Sequence, residues 1–386
     1  MKLLIKTLLV MLLAMTGTIA IAQDQGYSID QLIGEIWQGT HDGAPGEGSL
    51  FFRLEFHSEG LVSVMRQSGG FNKTEIQNWH INDSGNVVIK SNPDDQITNF
   101  DNASLRYTER EQMRYTLDDS SSNFYKWHKT NSYLHILFVL FGLILLNELC
   151  RHWKHANYLL WFILPIALIP IFASHEITYW FKWVKLYSVV GAAVLFTLIR
   201  FTKIGSMKWA KFSAAAFLAL NILEAVLQDF SMGNLANILN AVGGILCIIT
   251  LAGWAQIKAD DSKQKDMIWP AMTTFWIIAY DIWNIVFVYL NFPGSATAQA
   301  MVLIAATLPS LLIKKGTWLQ ARAFTLAGSF MYYFAFPSMY ESHVIPLPRN
   351  DELMLAAGLI SFIVNLAYAI FFFRKTKEQR IASAVA

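Results

Sequence analysis

The sequence predicts a polytopic α-helical membrane bundle of about nine transmembrane helices, preceded by a small N-terminal antiparallel β-domain. Three observations predict it. Of 386 residues, 54% are hydrophobic and only 15% are charged, where a soluble domain carries roughly 25%. From Tyr133 to Phe373 apolar runs of bilayer length recur. Ahead of them, from Asp24 to His128, short runs alternate apolar and polar residues between turn clusters, which is the pattern of half-buried strands.

The chain opens as exported proteins do. Lys2 and Lys6 flank the start of an apolar core, LLVMLLAM, and Ala20-Ile21-Ala22 stands before Gln23, so residues 1–22 read as a cleaved secretory signal. Residues 23–128 then read as an exported β-domain. Strands are expected at Leu50 to Phe56, Leu61 to Met65, Ile76 to Ile81 and Val87 to Lys90, parted by Ser58-Glu59-Gly60 and Asn82-Asp83-Ser84-Gly85-Asn86. The run Ile36-Trp37-Gln38-Gly39, followed by Leu54-Glu55-Phe56 and a Ser-Glu-Gly hairpin, resembles the opening of small lipocalin-like barrels. A sandwich or meander fits the same alternation. His41, His57 and His80 are scattered through these strands and read as strand-face residues.

Spans are expected near 133–150, 156–173, 179–200, 208–228, 235–257, 267–291, 297–313, 318–338 and 352–373, in a membrane domain over 129–374 followed by a tail, 375–386. With the first domain exported, odd-numbered spans run inward and the chain ends in the cytoplasm of a bacterial inner membrane. The basic residues agree. Arg151, Lys154, Arg200, Lys203, Lys258, Lys265, Lys314, Lys315, Arg322 and Arg374 crowd the inner ends, against Lys182, Lys185 and Arg349 at the outer ends. Pro165 and Pro170 interrupt the second span and Pro309 the seventh, so kinks are expected there. Gly243, Gly244 and Cys247 allow close helix approach in the fifth.

Composition excludes some functions. The net charge of +2 and the absence of a basic cluster interleaved with aromatics argue against nucleic acid as a partner. Cys150 and Cys247 both fall in expected spans, so there is no disulfide framework or CxxC motif. Nucleophile elbows, phosphate-cradling glycine loops and nucleotide motifs are absent, and nothing calls for a cofactor.

The informative residues are charges inside the apolar runs, because a carboxylate at membrane depth costs a few kcal/mol unless it is paired, hydrated or protonated. Asp281 lies inside the run from Met267 to Phe292. Counting helix from Met267 places it about 20 Å from the inner surface, and Glu224 and Lys185 fall at about 24 and 22 Å in their spans. The three are therefore expected to meet in the outer half of the bundle. Asn221, Glu224 and Gln228 share one helix face, Asn284 and Tyr280 flank Asp281, and Lys182 accompanies Lys185. His135, His175 and His343, with Glu176 and Glu341 near the same outer ends, form a candidate set for a transition metal that would activate water.

The stretches FKWVKLYS (181–188), NILEAVLQDF (221–230), DMIWP (266–270), FWIIAYDIWN (275–284) and KKGTWLQARA (314–323) resemble a family of bacterial polytopic membrane proteins catalogued only as a domain of unknown function. The resemblance covers about 133–374, with YDIWN its most distinctive part. It implies a common membrane fold and supplies no activity, substrate or cofactor.

The functional expectation is a transporter or channel for a small polar or cationic solute, with Asp281, Glu224, Asn284, Asn221, Gln228, Tyr280, Lys185 and Lys182 around the solute. Two alternatives stand beside it. One is a sensor or assembly protein whose exported domain binds a ligand or partner, and the other is a membrane-embedded metal hydrolase built on the histidines.

Overall fold

Alternation along the first strands fixes an inside and an outside. The computed structural model describes residues 32–42, 49–68, 71–90, 104–109, 112–117, 120–175 and 180–385; the expected signal peptide and Glu176 lie outside the described residues. Eight strands form the N-terminal domain: β1 Ile36–Asp42, β2 Ser49–Phe56, β3 Leu61–Ser68, β4 Phe71–Ile81, β5 Val87–Lys90, β6 Ser104–Glu109, β7 Gln112–Leu117 and β8 Ser120–Lys126. Each pairs antiparallel with the next, and Trp37↔Lys126 and Gln38↔Tyr125 join β1 to β8, so the sheet closes into a barrel. Closure removes the open edges that a sandwich or meander would leave. Trp37, Phe52, Leu54, Phe56, Val62, Val64, Trp79, Ile89, Met113 and Phe124 point inward and pack into one core. Neighbours of opposite parity point outward, and two of them reach the helical region. Gln38 Nε2 donates to the Glu341 and Val344 carbonyls at 2.8 and 2.9 Å, and the Phe51 ring lies against Gly294. Trp127 Nε1 adds a bond to the Val344 carbonyl at 3.0 Å.

The helical region contains α1 Lys129–His152, a broken run α2 Lys154–Ser174, α3 Trp180–Phe201, α4 Lys208–Met232, α5 Leu235–Ile249, α6 Thr274–Asn291, α7 Ala296–Leu312, α8 Trp318–Ala335 and α9 Asp351–Val385. Six of these, α1 to α4, α6 and α9, are long and apolar enough to cross a membrane; α5 and α7 are apolar but shorter. The prolines act as expected in α2, where a π turn over Leu159–Ile163 precedes separate short helices at Leu164–Ala167 and Ile169–Ser174. Helix α7 runs through Pro309. Glycines let α5 approach its neighbours: a Cβ on Gly244 would stand 2.5 Å from Val226 Cγ2 and 2.8 Å from Trp283 Nε1.

Two expected boundaries are corrected. The fifth helix stops at Ile249 rather than 257, and the sixth starts at Thr274 rather than 267, with Thr273 Oγ1 accepting from Trp276 N as its cap. Between them, residues 250–273 form a compact connection carrying a small hairpin, β9 Lys258–Ala259 with β10 Met267–Ile268. Apolar composition extended the expected spans into both ends of this segment, to 257 and from 267, but its hydrogen bonds hold it out of helix. Asp260 Oδ1 accepts from the Asp266 amide at 3.0 Å, the Trp269 amide donates to the Gly316 carbonyl at 2.9 Å, and Gly253 takes a left-handed φ of 70°.

Candidate functional site

Moving the start of α6 changes the depth of its acid. Asp281 lies seven residues beyond Thr274, hence about 10 Å into the helix, whereas Glu224 lies about 24 Å along α4 from Lys208. The expected three-charge site therefore divides in two. Lys185 Nζ donates to Glu224 Oε2 at 2.6 Å, a bond between α3 and α4 with side chains 24% and 38% exposed. Asn221 and Gln228 sit half-buried on the same helix as Glu224, and Lys182 Nζ donates to the Tyr333 hydroxyl at 3.1 Å. None of these residues bonds to Asp281 among the described residues.

Asp281 instead faces α7 and α8. Its Oδ2 accepts from Thr307 Oγ1 at 2.6 Å, and that hydroxyl oxygen accepts from Trp318 Nε1 at 2.8 Å. One turn along α6, on the same side of the helix, Asn284 Oδ1 accepts from Gln299 Nε2 of α7 and, at 3.4 Å, from Arg322 Nη2 of α8. Arg322 follows Trp318 by four residues, so both project from one face of α8. Its side chain is 5% exposed. Asp281 and Arg322 thus meet the same stretch of α6, Arg322 through Asn284, yet among the described residues no ion pair within 4.0 Å joins them. Three buried atoms find no partner within hydrogen-bond distance, Asp281 Oδ1, Arg322 Nε and Arg322 Nη1, although the Tyr280 hydroxyl lies beside the Arg322 guanidinium. Aromatic rings wall one side of this junction. Tyr280 crosses Trp318 at 4.9 Å and stacks on Trp276 at 5.4 Å, and all three rings are buried.

A second buried carboxylate went unnoticed in the sequence. Asp229, at the end of α4, has no exposed surface. Its Oδ1 accepts from Asn237 Nδ2 at 2.7 Å and Asn291 Nδ2 at 2.6 Å, and its Oδ2 accepts from Asn240 Nδ2 at 2.7 Å. Asn240 Oδ1 then accepts from Ser361 Oγ, and Cys247 Sγ donates to Asn365 Oδ1, which extends the network to α9. The cysteines are thus packing residues, one of them with a polar contact.

A third cluster closes the opposite end of the helices. The Arg151 guanidinium donates to both Asp266 oxygens through Nε and to Oδ2 through Nη2 at 2.9 Å, while its Nη1 donates to Glu148. Arg200 donates to the Cys150, Arg151, Gln264 and Lys265 carbonyls and to Asn157 Oδ1. Gln320 bridges by donating to Asp266 Oδ1 and accepting from the Met267 amide. Arg151 and Arg200 mark a helix end, as their positions in the sequence suggested; Arg322 does not, since it sits one turn inside α8.

The histidines divide as well. The His135 and His343 rings lie 4.7 Å apart between centroids, tilted by 33°, and the His128 ring lies 5.7 Å from His343, but His175 Nδ1 is 3.0 Å from the Phe334 carbonyl in a separate contact. Among the described residues no group of three His, Cys, Asp or Glu side chains is arranged to hold a metal ion. The expected set of His135, His175 and His343 is therefore corrected to a tilted contact between His135 and His343, with His175 apart from them.

Residues 126–385 match the family of unknown function DUF5692. The chain belongs to that family. The match starts at the last residue of β8 and includes all three polar clusters, so the barrel precedes the region the family shares. No curated protein and no solved structure matches the chain.

Sequence reasoning reached Asp281, Asn284 and Tyr280 but missed Thr307, Gln299, Trp318 and Arg322. A lone arginine one turn inside an apolar run was the available signal, and counting it among the inner-end charges hid it. For Asp229 the signal was the asparagines at 237, 240 and 291, which no short-range spacing links to it.

Proposed function

We propose that this protein moves a small polar solute across a bacterial cytoplasmic membrane, and that Asp281 and Arg322 are the groups the solute meets. The observation that carries the reading is the open acid and base at the junction of α6, α7 and α8. A buried donor or acceptor left unmatched costs about 1–3 kcal/mol, and unmatched groups that persist together are characteristic of sites completed by water or a ligand. The site belongs in the inner half of the bilayer, a change from the outer-half location the sequence suggested. In the topology proposed here the protein crosses the membrane nine times, with a cleaved signal, the barrel outside and the tail in the cytoplasm. The arginine-rich cluster that joins the α1–α2, α3–α4, α5–α6 and α7–α8 connections supports that orientation, because positive residues favour the cytoplasmic side.

Flux into proteoliposomes tests the reading. Asp281→Asn and Arg322→Gln are expected to lower solute flux at least tenfold while Lys185→Gln and Glu224→Gln leave it near the parent rate. Parent-like flux in both site variants would overturn the assignment.

The barrel supports a second reading, as a sensing or partner-binding module, because its outward Gln38 and Phe51, with Trp127, are seated on the loop at 341–344 and on Gly294. Deleting residues 24–119 discriminates. Full flux without the barrel would exclude sensing as the main function.

A further inference from the structure

The chemistry of the open atoms narrows the solute, on the assumption that the transport reading of this same site holds. Arg322 presents a positive charge and two N–H donors with no partner within hydrogen-bond distance, although the Tyr280 hydroxyl lies beside the guanidinium; Asp281 presents one unmatched acceptor and a negative charge. Arg322 bonds to Asn284, one turn along α6 from Asp281, and no ion pair joins the two charged groups among the described residues. A cation bound at Asp281 would be brought beside the guanidinium, and an anion bound at Arg322 beside the carboxylate. In a low-dielectric site either like-charge approach is strongly unfavourable. A neutral molecule would avoid that repulsion but would leave the charged groups with weaker bonds than ionic partners supply.

We propose that the solute is a small zwitterion bearing one ammonium and one carboxylate, an amino-acid-like molecule. Its ammonium donates to Asp281 Oδ1 and its carboxylate accepts from Arg322 Nε and Nη1. Such a molecule adds no net charge to the buried site and matches all three open atoms at once. The surrounding groups favour a small molecule, because the other Asp281 oxygen is already held by Thr307, the Asn284 oxygen is held by Gln299, and Tyr280, Trp276 and Trp318 close one side.

Thermal unfolding of the detergent-purified full chain provides the test, since a ligand that binds the folded state raises the midpoint. The probes are the common amino acids and β-alanine, compared with acetate, methylammonium and glycinamide, each of which carries a single charge. At least one zwitterion is expected to raise the midpoint by several degrees in the parent and in Lys185→Gln, and to give no shift in Asp281→Asn or Arg322→Gln. Should Arg322→Gln fail to fold, Arg322→Lys keeps the charge but loses the guanidinium donors, and its zwitterion affinity should fall at least tenfold. No shift with any zwitterion, or an equal shift with methylammonium, glycinamide or acetate, would overturn the proposal. Uptake of the labelled probe separates the two claims. A zwitterion that binds without being taken up supports the ligand class and counts against transport, whereas uptake of methylammonium without zwitterion binding does the reverse.

Discussion

Two carboxylates in the same bundle, Asp229 fully buried and Asp281 partly so, are treated in opposite ways. Asp229 is saturated: three asparagine amides from α5 and α6 fill both oxygens, and no cation takes part. Asp281 holds one hydroxyl, keeps one oxygen open, and faces an arginine that also has open donors. Saturation is what a structural carboxylate requires, since each buried polar group must be matched to offset its desolvation. Openness is what a binding group requires, and it is retained at a cost in stability. On the proposed function, the state of the hydrogen-bond partners is what separates the binding carboxylate from the structural one.

The largest test makes one chemical change at both sites. Asp229→Asn places an amide where three amides already donate, leaving at least one of them unmatched at about 1–3 kcal/mol each. We expect a large drop in the unfolding midpoint in detergent. Asp281→Asn should move that midpoint little while removing zwitterion binding. Equal losses of stability at the two positions would erase the distinction.

A loss of comparable size is expected at the Arg151–Asp266 cluster, which resembles the Asp229 site in being fully matched. Arg151→Leu leaves the buried Asp266 carboxylate without its fork, a change that costs about 3–5 kcal/mol when a buried pair loses one member. Limited proteolysis should then cut within residues 250–273, where the parent resists. Parent-like resistance would show that Arg200 and Gln320 alone hold the connection.

A smaller effect is expected from Gly244→Ala, whose Cβ would meet Val226 and Trp283 at 2.5 and 2.8 Å. Overpacking of this kind costs about 1–3 kcal/mol, read as a lower midpoint with zwitterion binding retained. Lys185→Gln breaks a partly exposed pair and should change stability by about 0–1 kcal/mol. A loss as large as that of Asp229→Asn would make Lys185 and Glu224 part of a buried framework.

The pH response should be smallest and confined to the connection between α5 and α6. Burial opposes ionisation of Asp260, but Lys314 at 2.7 Å and the Ser262 hydrogen bonds outweigh burial and hold its carboxyl below the ordinary value. A lowered folded-state pKa stabilises above the unfolded-state value and loses that contribution as pH falls through the folded one. Proteolytic protection of residues 250–273 should therefore hold at neutral pH and weaken in acid, and Asp260→Asn should flatten the response. A protection profile unaltered by Asp260→Asn would assign the acid sensitivity to another group.

Much of the architecture was legible before any coordinates. Alternation of Leu50 to Phe56 and Leu61 to Met65 located β2 and β3, because a strand exposes successive side chains to opposite faces. Apolar runs located most of the long helices to within a few residues, although α9 continues past its expected end at 373 to Val385. The clear failure lay between Ile249 and Thr274, where the expected spans ran on to 257 and began again at 267, and the chain instead leaves helix at Ile249 and re-enters it at Thr274 around a small hairpin. That error displaced Asp281 by seven residues and grouped it with Glu224.

The sequence by itself determined that an apolar helical region follows a β-domain, which runs form helices, and that Asp281 must be accommodated within one of them. These follow from local periodicity and from the cost of charge in an apolar medium, both carried by neighbouring residues. Tertiary structure decided that the eight strands close into a barrel, that Lys185 pairs with Glu224, and that Asp281 meets Thr307 and Arg322 while Asp229 meets Asn237, Asn240 and Asn291. Those partners are contributed by separate helices. Which faces meet depends on helix ends, close packing at Gly244 and the anchoring of Asp266 by Arg151, and no local spacing encodes that combination.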